Sequence, residues 1–335
     1  MTELLKQLCL LGAVSGDEGA VREFVISQIK DCCEYSVDNL GNIIAFKKGK
    51  KTAQKKVLID AHLDEVGLII THIEKDGFLR FKTVGGIDTS ALMLRRVLIN
   101  GKTLGVIGSK AVHLCSSDER KKLPDTDSLY IDIGASSLEE AQSALRVGDC
   151  AVMCSDFTVC GDKVLSKALD DRVGCLVLIE LLKQDAEYDF YATFSVEEEV
   201  GLRGARVAAY TVNPDSAIVI DGTTAADIAG VPESKKVCRL GAGAVVSFMD
   251  TATSYDREYY AAALNSGIKA QSKCAVAGGN NAGSIHLSRS GVRTLAVSVP
   301  CRYIHSAGSV ADMRDIDAVL NLVKYMTEKI AGGNL

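Results

Sequence analysis

Histidine and carboxylate side chains close four apolar segments of this 335-residue chain, and two aspartates begin a fifth segment with a helical pattern. The segments are "VLIDAHLDEVG" with His62 and Asp64, "FSVEEEVG" with Glu197, Glu198 and Glu199, "AIVIDG" with Asp221, "VPCRYIHS" with His305, and "SKALDDRVG" with Asp170 and Asp171. Taken singly, each residue is more often a capping, structural or solvated group. In an open α/β sheet, however, the carboxyl ends of the strands share one edge, so we expect these side chains to converge there.

Carboxylates gathered in a small and partly dry pocket either retain protons or bind cations. Together with imidazole nitrogens they form a ligand set that suits divalent zinc, cobalt or manganese. Asp170, Glu199 and Asp221 supply three negative charges, and a bridging hydroxide would complete the balance against two divalent ions. Two ions about 3.5–4 Å apart can hold a nucleophilic hydroxide and polarise a carbonyl, so the residues predict a hydrolase.

The elements that must position these residues alternate between helix and strand. This alternation runs through residues 1–66 and 158–335, and it predicts an α/β domain with a mostly parallel central sheet flanked by helices. Residues 67–157 differ, because short strands with glycine turns follow one another, as in "GFLRFKTVGG" and "RRVLINGKTLGVIGS". We therefore predict a discontinuous domain that is interrupted by a small β-rich insert.

Composition and charge exclude several classes of function. The hydrophobic fraction of 47% and the charged fraction of 24% are ordinary for a globular protein. The net charge of -5, without any basic block, disfavours nucleic acid or an anionic membrane as a partner. No segment approaches the roughly 18 apolar residues of a transmembrane helix. The 11 cysteines include no Cys-x-x-Cys pair, and we expect reduced thiols in a cytoplasmic protein.

The sequence resembles the tetrahedral aminopeptidases, which are cobalt- or zinc-dependent dinuclear metallopeptidases that have also been described as endoglucanases. The resemblance covers nearly the whole chain, and it is carried by "SGDEGAVREF", "DNLGNIIAFKKG", "AHLDEVGLI", "GFLRFKTVGG", "ALDDRVG", "EEEVGLRGA", "VIDGTTAADIAG" and "CRYIHS". It implies an α/β peptidase domain with an inserted PDZ-like β-barrel. It also implies homo-oligomers, commonly tetrahedral dodecamers that admit only peptides or unfolded chains.

The resemblance further implies a role for each metal-ligating residue. His62 and Asp221 would bind one divalent ion, Glu199 and His305 would bind the second, and Asp170 would bridge the two. Zinc or cobalt would be the usual metal, with manganese as a further possibility.

Other roles also follow from the resemblance. Asp64 would orient His62, and Asp171 would follow Asp170 across a cis peptide bond. Glu198 would act as the general base and then as the general acid. Because neighbouring residues on a strand point to opposite sides, we expect Glu198 and Glu199 to lie apart. Two departures from the family pattern are Glu197, where glutamine is frequent, and Asn281, where aspartate is common.

A cytoplasmic aminopeptidase acting on peptides is the leading interpretation, and three alternatives remain. A dinuclear deacylase or carboxypeptidase would use the same kind of metal site. A glycosidase is disfavoured because glycoside hydrolysis normally uses two opposed carboxyl groups, which leaves His62 and His305 without a role. A non-catalytic assembly protein is disfavoured because all five ligands and Glu198 are present.

Overall fold

A computed structural model describes the whole chain, residues 1–335. The strands are β1 (Glu34–Val37), β2 (Ile43–Lys47), β3 (Val57–His62), β4 (Gly67–Ile73), β5 (Leu79–Val84), β6 (Arg96–Ile99), β7 (Thr103–Gly108), β8 (Tyr130–Asp132), β9 (Cys150–Met153), β10 (Thr158–Cys160), β11 (Lys163–Ser166), β12 (Phe190–Ser195), β13 (Ser216–Thr224), β14 (Ala244–Val246), β15 (Ala270–Ser272), β16 (Arg293–Arg302) and β17 (Ser309–Asp312). The helices are α1 (Thr2–Leu10), α2 (Gly19–Ile29), α3 (Thr89–Leu92), α4 (Leu138–Ala144), α5 (Leu169–Lys183), α6 (Arg203–Val212), α7 (Arg257–Leu264), α8 (Ala282–Ile285) and α9 (Met313–Ala331).

One large mixed sheet of 11 strands forms the centre of the molecule. Its four middle strands, in the order β12, β3, β13 and β16, run parallel to one another. The predicted α/β class is therefore confirmed, and the parallel arrangement is concentrated in these strands. The flanking pairs β1–β2, β10–β11 and β16–β17 are antiparallel, since the short connections within them cannot cross over as a parallel pair requires.

Helices cover both faces of this sheet, as the alternating elements predict. On β13, Ile218 and Ile220 belong to the apolar core that contains α5 and α9, whereas Ala217 and Val219 pack on the opposite side with α6. This alternation follows from the two-residue period of a strand. Both faces of the central strands are thus buried, and the few polar side chains inside them, such as Asp60 and Thr193, are buried as well.

A closed barrel of six strands interrupts the chain between β3 and β10, in the order β4, β5, β8, β7, β6 and β9. It has an apolar core of its own, which includes Leu68, Phe81, Val97 and Ile131. The inserted barrel that the glycine-rich segment predicts is therefore present. No helix in the molecule combines the length and the apolar character that crossing a bilayer requires.

The strand register brings polar residues to one edge of the sheet. His62, the last residue of β3, pairs with Ser195, the last residue of β12. On its other side β3 pairs Asp60 with Val219 of β13, so Asp221 lies two residues further along at the level of His62. The carboxyl edge of the parallel strands is therefore where the candidate site forms.

Candidate metal centre

The five candidate ligands, which are His62, Asp170, Glu199, Asp221 and His305, meet at this edge of the sheet. The His62 Nε2 atom lies 3.4 Å from Asp170 Oδ1 and 3.8 Å from Asp221 Oδ1. The His305 Nε2 atom lies 3.4 Å from Asp170 Oδ2 and 3.2 Å from Glu199 Oε1. Asp170 thus stands between the two imidazoles, with one carboxylate oxygen facing each.

The start of α5 gives Asp170 its position. The peptide bond between Asp170 and Asp171 is cis, as the resemblance implies, and both residues have non-helical dihedral angles. The Asp171 carboxylate accepts hydrogen bonds from the main-chain N–H groups of His62 at 3.2 Å and Gly174 at 3.0 Å. Glycine is needed at 174, because a Cβ atom there would lie 2.4 Å from both Asp171 carboxylate oxygens. Asp171 therefore supports the ligand segments of β3 and α5.

Asp64 contacts both the histidine and the glutamate segment. Its side chain lies 3.4 Å from His62 Nδ1, and its main-chain oxygen lies 3.1 Å from the same atom. One carboxylate oxygen also accepts from the Glu198 N–H at 3.0 Å, and the other accepts from the Glu199 N–H at 3.1 Å. The Ser15 hydroxyl donates to this second oxygen at 2.6 Å. The contact with His62 suits the predicted orienting role, whereas the hold on the glutamate backbone is not evident from the sequence.

The prediction that Glu198 and Glu199 lie apart as strand neighbours is wrong. Strand β12 ends at Ser195, and Glu197 adopts a left-handed conformation with φ of 54°. The hydrogen bonds that Asp64 accepts from successive N–H groups hold the glutamates in a turn. Ligand atoms of Glu198 and Glu199 consequently converge with His62 to within 4.8 Å of one another. Glu197 instead pairs with Arg203 Nη1 at 3.0 Å.

The His305 ring is held by the inserted barrel. His305 lies in the turn between β16 and β17, and its Nδ1 atom is 2.8 Å from the main-chain oxygen of Gly86. Gly86 follows β5, at the end of the "GFLRFKTVGG" segment. This contact leaves Nε2 free to face Asp170 and Glu199. The sequence gives no sign of it, because a carbonyl oxygen is common to all residue types.

Burial and mutual charge shift the acidities of the site. Burial raises the pKa of Glu198 well above its usual value, and burial together with the Asp170 charge raises the pKa of Asp221 to about 8. Burial also disfavours ionised Asp170, but the adjacent His305 and His62 rings hold its pKa well below the usual range. The pKa of His62 is lowered by burial, yet Glu198 and the neighbouring aspartates raise it overall. The carboxylates therefore need positive charge beside them in order to remain ionised together.

Two buried oxygens test whether the cluster fits a metal. Asp170 Oδ1 and Glu199 Oε1 are buried and lack hydrogen-bond partners. Such unsatisfied acceptors are costly inside a protein, and a coordinated cation would satisfy them. Possible ligand atoms form three groups, and the atoms within each group lie within 4.8 Å of one another. The groups are His62, Asp171 and Asp221; His62, Glu198 and Glu199; and Asp170, Glu199 and His305. The residues thus fit divalent metal ions of the zinc type.

A cavity of about 250 Å³ opens beside the candidate ligands. Glu198 lines it together with the candidate ligand carboxylates, and Thr223, Thr224 and Lys273 also belong to the lining. The Lys273 ammonium donates to the Ala277 carbonyl at 2.9 Å, and it is the sole lysine or arginine group in the lining. The cavity is large enough for an amino-acid side chain next to the candidate ligands.

Asn281 lies beneath this edge of the sheet and not among the ligands. Its amide nitrogen donates to Asp60 Oδ2 and to Ser195 Oγ, both at 2.8 Å. Burial raises the pKa of Asp60 to about 6, although hydrogen bonds from Thr193, Asn281 and Ser195 oppose this shift. An amide at position 281 can donate to the Asp60 carboxylate, whereas an ionised aspartate could not.

Comparisons with known proteins find similar sequences and structures over nearly the whole chain. A family model described as M42 glutamyl aminopeptidase matches residues 41–322. The lysyl aminopeptidase of Pyrococcus furiosus is 34% identical, over 98% of this chain and 97% of its own. An aminopeptidase from Desulfurococcus kamchatkensis has a TM-score of 0.94 at 36% identity, over 99% of this chain and 95% of that one. The TET1 peptidase of Pyrococcus horikoshii, described as assembling into a tetrahedron or a large octahedral shell, has a TM-score of 0.84 at 34% identity, over 96% and 97% of the two chains.

Proposed function

Because this chain belongs to the M42 family of glutamyl aminopeptidases, we propose that it hydrolyses the peptide bond after the first residue of a peptide. The observation that carries this proposal is the placement of Asp170 between His62 and His305, with one oxygen 3.4 Å from each ring. A carboxylate in that position can contact two ions at once. The arrangement is typical of hydrolases that use paired metals.

The proposed ligand set has one shared member and two pairs. His62 and Asp221 would hold one divalent ion, Glu199 and His305 would hold the other, and Asp170, which lies between the two imidazoles, would contact both. Zinc or cobalt fits these nitrogen and oxygen donors, and manganese is a further candidate. Two ions held here would lower the pKa of a water molecule and polarise the scissile carbonyl.

The proton transfers in this proposal belong to Glu198. Its side chain is 11% exposed and lines the cavity, and one of its carboxylate oxygens lies 4.0 Å from His62 Nε2. Glu198 accepts a proton from the attacking water and then donates it to the leaving amine. Asp64 keeps this residue in reach of the cavity by accepting from its N–H group, while also contacting the His62 ring.

The barrel is assigned a role in assembly. We take residues 1–66 and 158–335 as the catalytic domain and residues 67–157 as the inserted oligomerisation domain. Large apolar side chains stand exposed on the insert, among them Leu104 at 59% and Val112 at 71%. Together with the shells described for the TET1 peptidase, they support a homo-oligomer, with a tetrahedral dodecamer as its proposed form. All 11 cysteines are free thiols, which supports a cytoplasmic location.

A substrate panel tests the proposed activity. The metal-loaded protein is assayed on aminoacyl anilides, on amino-terminally blocked peptides, on peptides with a free carboxyl end and on cellulose. We expect cleavage of the anilides, release of amino-terminal residues, and loss of activity on chelation. Hydrolysis confined to blocked peptides, to carboxyl ends or to glucan would contradict the proposal in favour of a deacylase, a carboxypeptidase or a glycosidase respectively.

Metal titration tests the paired site separately. Wild-type protein should bind two divalent ions per chain. Asp170→Asn should lose both, because Asp170 alone contacts both proposed positions. Full activity with a single ion bound at saturation would exclude the dinuclear arrangement.

A further inference from the structure

A buried ion cluster lies next to the candidate metal centre. Its members are Glu65, Lys167 and Arg172, which are 4%, 3% and 0% exposed. Glu65 Oε1 accepts from Lys167 Nζ at 2.6 Å and lies 3.4 Å from Arg172 Nη2. Buried ion clusters contribute little net stability relative to apolar packing, because taking charges out of water is costly. This cluster also pairs two cations with one carboxylate, so stability alone is a poor reason for it.

The cations bind the end of the first helix. Arg172 Nε donates to the Leu8 carbonyl at 3.1 Å, and Lys167 Nζ donates to the Leu11 carbonyl at 3.2 Å. The last carbonyls of a helix lack partners within it, and positive charge is favourable beside them. Helix α1 has no basic residue in its own last turn. The cluster therefore anchors α1 to the start of α5.

The same guanidinium reaches the ligand segment of β3. Arg172 Nη1 donates to the main-chain oxygen of Leu63, the residue between His62 and Asp64. Arg172 also directly follows Asp170 and Asp171 in the chain. One side chain therefore joins the turn that carries His62 to the helix start that carries Asp170.

The fork of an arginine suits this task. Its nitrogens reach Leu8, Leu11, Leu63 and Glu65 simultaneously, at the centre of a fully buried environment. A lysine ammonium keeps the charge but cannot reproduce this planar set of donors. Arg172 is also absent from the lining of the cavity, so a direct part in substrate binding is not indicated.

We propose that Arg172 is a positioning residue for the metal centre. It fixes the His62–Asp64 turn against Asp170, with the end of α1 as its anchor and Glu65 as its counter-charge. This inference rests on the proposed metal-dependent function, although Arg172 is not among the proposed ligands. Residues that orient metal ligands typically change metal affinity by about 10–100-fold when they are replaced.

The test compares zinc affinity in matched variants. Arg172→Lys and wild type are titrated with zinc against a competing chelator, and folding and oligomeric state are checked in parallel. We expect Arg172→Lys to bind zinc about 10–100-fold more weakly. Its activity should be low at limiting zinc and should recover in excess zinc with KM unchanged. Arg293→Lys is the control, since Arg293 pairs with Asp256 and Glu258 at the first residue of β16, whereas His305 follows the last.

Three outcomes decide whether Arg172 positions the metal centre. Zinc affinity within about twofold of wild type in folded Arg172→Lys would overturn the proposal, even if its melting temperature fell. If Arg172→Lys does not fold, Glu65→Gln is used in its place, because that change removes the counter-charge while keeping the side-chain shape. A zinc affinity of Glu65→Gln equal to that of wild type would equally overturn the proposal. Failure of wild type to cleave peptides would count against the proposed function alone, because the Arg172 comparison is decided by zinc binding.

Discussion

Glu198 and Glu199 differ in what surrounds their carboxylates, although they are adjacent in the chain. Glu199 Oε1 is buried without a hydrogen-bond partner and lies 3.2 Å from His305 Nε2. The Glu198 carboxylate lies farther from its nearest imidazole, at 4.0 Å, and lines the cavity. These surroundings suit a ligand and a proton acceptor respectively.

Paired substitutions separate these two roles. Glu198→Gln should lower kcat by about 10²–10⁴-fold with two ions still bound, because an amide cannot accept the proton. Glu199→Gln should weaken one ion site, and added metal should partly restore activity. Glu197→Gln is the control, since Glu197 pairs with Arg203, and its turnover should stay within about tenfold of wild type. Metal analysis and kinetics together would refute the assignment if Glu198→Gln lost metal while Glu199→Gln did not.

Lys273 predicts a preference for acidic residues at the amino end of the substrate. Lys273 is the sole lysine or arginine residue in the cavity lining, which also includes Thr223 and Thr224. Lys273→Met should lower kcat/KM for a glutamyl anilide about tenfold relative to a leucyl anilide, as one lost hydrogen bond to a charged group implies. Lys269→Met is the matched control, because Lys269 bonds the Gly241 carbonyl outside the cavity lining. An unchanged glutamyl-to-leucyl ratio in Lys273→Met would contradict this preference.

The convergence of the candidate site residues could be predicted from the sequence, whereas the main-chain groups that hold them could not. His62, Asp221 and His305 follow apolar segments, so their shared edge follows from the fold class alone. The carbonyls of Gly86 and Leu63 act through atoms that every residue has, and residue type gives no sign of them. Ligand roles for the five residues remain predictions that the metal titrations must decide.

At the scale of elements, the sequence predicts which segments are strands better than where they end. The alternation of helix and strand correctly indicates the parallel centre and the inserted barrel. Strands β3 and β12 nevertheless end before Asp64 and the glutamates. The reason is that Asp64 binds the glutamate N–H groups, which replaces strand pairing with side-chain hydrogen bonds.

Gly174, near the start of α5, gives a prediction at this scale. Gly174→Ala would ordinarily stabilise a helix by up to about 1 kcal/mol. Here the added methyl group would collide with the Asp171 carboxylate, and we expect the free energy of unfolding to fall by about 1–3 kcal/mol and zinc binding to weaken.

The matched control for Gly174→Ala is Gly19→Ala at the start of α2. A Cβ atom at position 19 would meet only the end of the Arg22 side chain, at 3.8 Å. Gly19→Ala should therefore leave stability unchanged or raise it. Denaturant unfolding and zinc titration measure both effects. A Gly174→Ala variant as stable as Gly19→Ala, with wild-type zinc affinity, would show that the start of α5 tolerates the added group.

At the scale of the whole molecule, the exposed apolar surface of the barrel predicts its part in assembly. Leu104 and Val106 on β7 are 59% and 43% exposed, whereas Gly105 and Ile107, which alternate with them, are buried. Introducing charge there should disfavour the burial of this face against another subunit. We expect the double substitution of Leu104→Lys and Val106→Lys to yield smaller oligomers by light scattering.

An exposed leucine outside the barrel provides the comparison for that experiment. Leu287 is 73% exposed and lies outside the barrel, so Leu287→Lys should leave the oligomer intact. If the double β7 variant assembled as wild type does, this face of the barrel would not be the interface. A monomeric wild-type protein at micromolar concentration would exclude the assembly role altogether.

The hydrogen bond between Gly86 and His305 makes the insert a structural part of the candidate metal centre. A deletion of residues 67–157 would remove that acceptor, so lost activity in a truncated protein would say nothing about whether the shell is needed. Surface charge changes on β7 leave Gly86 in place and can separate the two questions. The same contact limits which insertions and deletions the insert can tolerate. A change in length that shifted the segment after β5 would move the Gly86 carbonyl and so rotate the His305 ring.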